Sequence, residues 1–218
     1  MKIYLHENDN WTDFTWDNKK VMVKLGEARN EQGRLFGKME SLGFALQNEA
    51  VLNTLTLDIT KSSEIEGEFL EIEQVRSSIA RRLGMNIAGA VESDRHIEGI
   101  VEMMLDATHR YDLPLTKDRL FGWHAALFPS GRSNLFKITV ADWRKDTTGP
   151  MQVVSGPMGK EKVHYQAPNS DRIEFEMGKF LDWFENEHEL DLVLKAAIAH
   201  LWFVSIHPFD DGNGRITR

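Results

Sequence analysis

A mainly α-helical bundle carrying one small β-hairpin is the fold class this sequence predicts, and three observations predict it. Apolar residues recur at helical spacing over 21–48, 50–67, 73–83, 96–111 and 117–128. The stretch 190–206 (LDLVLKAAIAHLWFVSI) is apolar on nearly every side and holds neither proline nor glycine, so it reads as a buried helix. The segment 151–167 differs in character. Its β-prone ends, QVV and KVHY, flank Ser155-Gly156-Pro157-Met158-Gly159, the pattern of a hairpin.

Taken in order, the chain opens with Trp11, Phe14 and Trp16 in a polar setting, aromatic groups expected to tuck against the body as a clasp. Helical patterning over 21–48 is interrupted by glycines at 26, 33, 37 and 43, which argue against one straight helix. Leu52, Leu55 and Ile59 give the 50–67 helix a single apolar face, and Gly67 reads as its C-cap. An amphipathic helix follows over 73–83. The glycine-containing stretch 84–89 then marks a boundary between a helical N-terminal domain, 1–88, and a core, 89–218. Two more helices cover 96–111 and 117–128, the second with Thr116 as N-cap. After the hairpin, the 190–206 helix must stop near His207, because Pro208 disfavours the helical conformation in the residue before it. Gly212 and Gly214 permit a tight turn, and a second helix starts around Gly214 or Arg215. The chain has no internal repeat and no low-complexity tract.

Composition narrows the function classes. With 218 residues, 41% of them hydrophobic, the chain can bury a sizeable core in one body or two packed lobes. Zero cysteines exclude disulfides, thiolate catalysis and cysteine zinc sites, and fit a reducing compartment. The N-terminus MKIYLHENDN has no apolar run of a signal peptide. The longest apolar stretch, 196–206, is broken by His200 and is too short to span a bilayer. A net charge of −8 disfavours general binding to nucleic acid or anionic membrane. The expectation is a cytoplasmic protein with no nucleic-acid or membrane partner. No histidine pair has a convincing metal-ligand spacing, and no structural metal is expected. His200, seven residues before His207 and on roughly the same helix face, reads as a hydrogen-bonded core histidine, with a partner supporting His207 as the alternative.

The chemistry concentrates at the C-terminal end, His207-Pro208-Phe209-Asp210-Asp211-Gly212-Asn213-Gly214-Arg215-Ile216-Thr217-Arg218. A base, a carboxylate, a glycine-rich turn and two arginines within twelve residues suit a chemistry that holds, neutralises and attacks a nucleoside triphosphate. Singly, each piece is ordinary; the order and spacing together are not. His207 is the candidate general base. Asp211 is the candidate Mg²⁺ ligand, since that ion commonly takes one or two carboxylates plus phosphates. Gly212, Asn213 and Gly214 would offer N–H groups to phosphate, with the Asn213 side chain as a further donor. Arg215 and Arg218 would neutralise the outer phosphates, where leaving-group charge develops.

This stretch resembles, at all nine fixed positions, the signature H-P-F-x-[DE]-G-N-G-R-x-x-R of the Fic family. The resemblance implies a Fic-fold helical bundle and transfer of AMP from Mg-ATP to a Ser, Thr or Tyr hydroxyl of a target protein. Attack would fall on the α-phosphorus, with pyrophosphate leaving. A phosphotransferase variant in the family carries lysine where this chain has Gly214, which disfavours that branch. The 151–167 hairpin lies where the family has a flap over the active site. Its edge could pair with an extended target segment, with Val153 and Val154 as contact residues. Arg144 matches a recurrent family arginine to which no role is assigned.

Upstream, Ser62-x-x-x-Glu66-Gly67 resembles the inhibitory helix of Fic proteins, here about 50–67. The resemblance implies that Glu66 pairs with Arg218, removes it from the γ-phosphate and holds ATP in a non-productive pose. The sequence from W-x-x-F-x-W through SSEIEGE resembles a domain often fused in front of bacterial Fic cores. Family members continue beyond the motif's last arginine, so the resemblance implies a core truncated at Arg218. Two other outcomes stay open on the same scaffold: removal of AMP with Glu66 positioning water, and a non-catalytic nucleotide-binding module. A homodimer is left open as well.

Overall fold

The structure is a computed structural model that describes residues 4–157 and 159–218. Met158, within the expected hairpin turn, lies outside the described residues. The chain forms two compact units, one of residues 4–13 with residues 102–218, the other Phe14–Val101. The division between these units falls inside a helix, and the first described residues join the C-terminal unit.

In the Phe14–Val101 unit, α1 (Asn18–Glu40) starts at Asp17, whose carboxylate accepts from the Lys19 and Lys20 amides. The glycines at 26, 33 and 37 do not interrupt it, and none of its residues is buried. The break expected within 21–48 comes instead at 41–43. Ser41 closes α1 with bonds to the Lys38 and Met39 carbonyls, and Gly43, in extended conformation, starts α2 (Phe44–Ile65). α2 packs on α3 (Ile72–Arg82), and Leu52, Leu55, Ile59, Val75 and Ile79 are buried. Arg76 secures the pair by donating to Glu49 at 2.9 Å and Asn53 at 2.7 Å. α4 (Arg95–His109) is anchored at its start by Glu98, which accepts from Arg81 at 2.9 Å and Arg82 at 3.0 Å.

In the other unit, α5 (Lys117–Leu127) is capped by Thr116, whose hydroxyl accepts from the Arg119 amide. A minimal hairpin, β1 (Arg132–Ser133) and β2 (Phe136–Lys137), follows; the sequence did not signal it. The expected hairpin forms from β3 (Gln152–Ser155) and β4 (Lys162–Gln166). Its register steps from Val153↔Tyr165 to Val154↔Val163, leaving His164 as the extra residue of a bulge. α6 (Ile173–Asn186), also unassigned from sequence, packs on α7 (Leu192–Ile206), and α7 packs on the short α8 (Asn213–Thr217).

The core here is aromatic: Phe180 meets Trp202 and Phe203 with ring centroids 5.7 Å apart in each case. The 190–206 helix forms as expected, but only one side of it is buried. Ile198, Ala199, Trp202, Phe203 and Ile206 face the core, whereas Leu192, Val193 and Leu201 are exposed. His200 is exposed too, and is not a core histidine. The aromatic clasp divides. Trp11 donates to Glu176 at 2.9 Å and packs its ring against Trp202, while Phe14 belongs to the other unit and Trp16 is exposed. Among the described residues no helix is long and apolar enough to cross a membrane.

Candidate functional site

The site is built where α7 runs out. His207 caps the helix, its amide donating to the Phe203 carbonyl at 2.9 Å, and takes the left-handed conformation with φ +54°. A non-glycine residue seldom sits there, and it persists only where its surroundings hold it. Arg144 holds it. That side chain is buried, and its Nε donates to the His207 carbonyl at 2.7 Å, while the Arg144 amide donates to the Pro208 carbonyl at 2.9 Å.

Phe209 is the anchor of the turn, fully buried and stacked on His124 with centroids 4.2 Å apart and planes 7° from parallel. Trp143 closes its other flank at 5.2 Å. Asn213 then ties the turn shut. Its Oδ1 accepts from the Phe209 amide at 3.0 Å and its Nδ2 donates to the Phe209 carbonyl at 2.8 Å, all of it buried. The Asn213 side chain therefore staples the loop, with its oxygen and one Nδ2 hydrogen committed to Phe209 rather than held out as a spare donor. Of the two motif glycines, Gly212 is required by the backbone. Its φ is +80°, and a Cβ there would stand 2.8 Å from Phe128 Cε2. Gly214 sits within α8 in ordinary helical conformation.

Asp211 keeps an accessible carboxylate, its side chain 41% exposed. One oxygen accepts from the Ser133 hydroxyl, the other from the Gly212 amide at 2.6 Å, and an Arg215 Nη2 lies 4.0 Å away. Asp210 is turned to a structural task, accepting from the Thr139 amide at 2.8 Å. A Mg²⁺ ion fits this donor set as one shared with phosphates: Asp211 offers a single fixed, open carboxylate. Among the described residues no cluster of three or more His, Asp or Glu could form an all-protein cage. Arg215 is buried, its guanidinium over the Phe128 ring at 5.0 Å, so its position is set by packing. Arg218 is exposed at the end of α8.

His124 is the second support that sequence did not assign. Its Nδ1 accepts from the Ala141 amide at 3.3 Å, so the proton sits on Nε2, which donates to the Asp211 carbonyl at 3.2 Å. Burial pushes its pKa below the ordinary value, with the hydrogen bond to Asp211 and the charges of Asp210 and Asp211 opposing. The ring is thus a neutral strut under the turn.

The structure brings His207, Asp211, Gly212, Asn213, Gly214, Arg215 and Arg218 together in one unit. Val153 and Val154 are both exposed, on either side of the register step in β3. Ser62, Glu66 and Gly67 belong to the other unit. Glu66 is the exposed C-cap of α2 and Gly67 follows with φ +78°.

Residues 114–218 match the Fic/DOC family. The chain carries a Fic/DOC domain. Residues 4–85 match a domain of unknown function, DUF4172. A probable protein adenylyltransferase of Aquifex aeolicus is 50% identical over 66 residues, 30% of this chain and 19% of that protein. Among solved structures, a Fic family protein from Desulfovibrio desulfuricans aligns with TM-score 0.56 and 24% identity, over 94% of this chain and 56% of that one. A Fic domain containing signaling protein from Bacteroides thetaiotaomicron gives 0.59 and 21%, over 85% and 68%. Fic-1 from C. elegans gives 0.57 and 19%, over 91% and 56%. At these identities the structural likenesses establish the fold, a helical Fic bundle with a small hairpin flap. The chain spans just over half the length of the Desulfovibrio protein.

Proposed function

We propose that this chain transfers AMP from Mg-ATP to a Ser, Thr or Tyr hydroxyl of a target protein, with Glu66 as its brake. The observation that carries the reading is the complete motif turn, folded so that His207, the open Asp211 carboxylate and buried Arg215 are fixed around one loop. His207 takes the proton of the target hydroxyl, whose oxygen forms a bond to the α-phosphorus as the bond to the β-phosphate oxygen breaks. Pyrophosphate leaves with the electron pair, and its charge is met by Arg215 and Arg218. The amides of Asn213, Gly214 and Arg215 precede the first i→i−4 bond of α8, Ile216 to Gly212, and are the backbone donors for phosphate. Asp211 would hold the Mg²⁺; when bound, that ion supplies charge neutralisation on the phosphates.

The exposed edge of β3, with Val153 and Val154 outward, offers a strand to an extended target segment. Glu66, exposed at the end of α2, is the carboxylate that would occupy Arg218 in the resting state. A cysteine-free chain that uses ATP fits the cytoplasm.

The test follows covalent label from α-labelled ATP in Glu66→Gly protein with Mg²⁺, against wild type and a Glu66→Gly, His207→Ala double variant. Label that is strong in Glu66→Gly, weak in wild type and lost with His207 is the expected result. Equal label in wild type and Glu66→Gly would remove the brake. Nucleotide binding without any label would remove the transfer.

A further inference from the structure

We infer that Arg144 is a positioning residue that fixes the catalytic conformation of His207 and joins it to the root of the flap; the inference rests on the AMP-transfer reading of the site. Arg144 is 3% exposed, and its donors reach two separate segments of chain besides its own. Its Nε donates to the His207 carbonyl at 2.7 Å and its amide to the Pro208 carbonyl at 2.9 Å, so the two peptide planes that follow the imidazole are both held. One terminal nitrogen, Nη2, donates to the Pro168 carbonyl, and the other, Nη1, to Asp146. Asp146 accepts from the Ser170 amide at 2.6 Å with its second oxygen, closing the network on the same segment.

Pro168 is where the flap is rooted. The hairpin strands end at Gln152 and Gln166, and the last bond between its two arms runs from the Ala167 amide to the Met151 carbonyl at 3.0 Å. The next residue is the one Arg144 grips. A single planar guanidinium therefore spans the exit of the flap and the left-handed residue that carries the base. It engages donors on three nitrogens that point in fixed, divergent directions.

A lysine offers its donors from one point and lacks the planar fork that sets the directions of these bonds. The left-handed φ of +54° is a conformation that His207 does not favour by itself. Without the grip the residue can relax toward ordinary φ, which moves the imidazole off the target hydroxyl. Arg144 touches no reacting atom; it acts through His207.

The experiment compares Arg144→Lys and Arg144→Gln in the Glu66→Gly background. It measures kcat, KM for ATP and for target, ATP affinity, and the NMR resonance and pH titration of the His207 imidazole. A misplaced base costs on the order of a hundredfold in rate. The expected result is a kcat lowered by about that factor in Arg144→Gln, with ATP affinity within about threefold of the parent and a shifted or split His207 resonance. Arg144→Lys should recover only a minor part. A kcat within about threefold of the parent in both variants, with an unchanged His207 titration, would overturn the inference. Should Arg144→Gln fail to give a cooperative melt, Arg144→Lys decides alone, by the same readings. If the parent transfers no AMP, the reaction has failed rather than the positioning, and the His207 resonance still reports whether Arg144 sets its conformation.

Discussion

Replacing Asn213 by alanine separates the two tasks a motif asparagine can have. Its amide closes a ring with one residue: Oδ1 to the Phe209 amide at 3.0 Å and Nδ2 to the Phe209 carbonyl at 2.8 Å, with Asn213 2% exposed and Phe209 fully buried. Alanine removes both partners and leaves a buried N–H and a buried carbonyl without them. Each such group costs about 1–3 kcal/mol, and partial entry of water brings the sum to roughly 2–4 kcal/mol. In a chain of this size, 1 kcal/mol corresponds to about 2–4 °C in melting temperature, so Asn213→Ala should melt roughly 4–16 °C below the parent. Differential scanning calorimetry without nucleotide measures this, with isothermal titration for ATP alongside. Affinity should fall as well, because the phosphate-facing amides lose their fixed positions. A melting temperature unchanged by Asn213→Ala, with ATP affinity alone reduced, would refute the staple and restore the side chain as a direct phosphate ligand. Asn213→Asp is the sharper companion: a carboxylate keeps the acceptor for the Phe209 amide but sets like partial charges against the Phe209 carbonyl, so it should not rescue.

Gly212→Ala should weaken ATP binding at least tenfold, since a Cβ at φ +80° would meet Phe128 Cε2 at 2.8 Å and force the turn away; equilibrium binding checks it. His124 has a pKa held below the ordinary 6.5, chiefly by burial, and its share of stability is full above that value and lost as pH falls through its lowered pKa. The melting temperature should therefore decline on acidification below about 6.5, and His124→Asn should show a shallower decline from a lower starting point. Tyr165, pushed up to about 12 chiefly by burial and donating to the Ser205 carbonyl at 2.7 Å, should give a late phase in the alkaline phenolate absorbance that Tyr165→Phe abolishes.

What the sequence made legible is what lies close together along it. The motif turn is twelve contiguous residues, so the histidine, carboxylate, glycines and arginines that the structure gathers there could be picked out together. Helices with clear one-sided patterning, α3 and α5, fall within a residue or two of their expected bounds. The supports were not legible, because each arrives from far away. Arg144 reaches His207 across 63 positions, His124 reaches Asp211 across 87, and Ser133 reaches it across 78. No local pattern encodes such a pairing; Ser133 sits on a two-residue strand with no signal at all. Apolar content misled in α7, where Val193 and Leu201 read as core yet face outward. A run that is apolar all round fixes helix type but not which side is covered.

The motif also reads differently once it is folded. Its apparent concentration of chemistry is in large part a concentration of constraints on one loop. Pro208 ends the helix, Phe209 plugs the core, Gly212 passes where no Cβ fits, and Asn213 ties the loop to Phe209. His207, Asp211, Arg215 and Arg218 are the motif's remaining fixed positions with polar side chains. Of these, Arg215 is seated over Phe128 and Asp211 is steadied by Ser133 and Gly212. His207 alone stands in a backbone conformation its own residue type disfavours. A turn that fixes so much internally can still leave its base unplaced, which is why the burden falls on a buried arginine outside it.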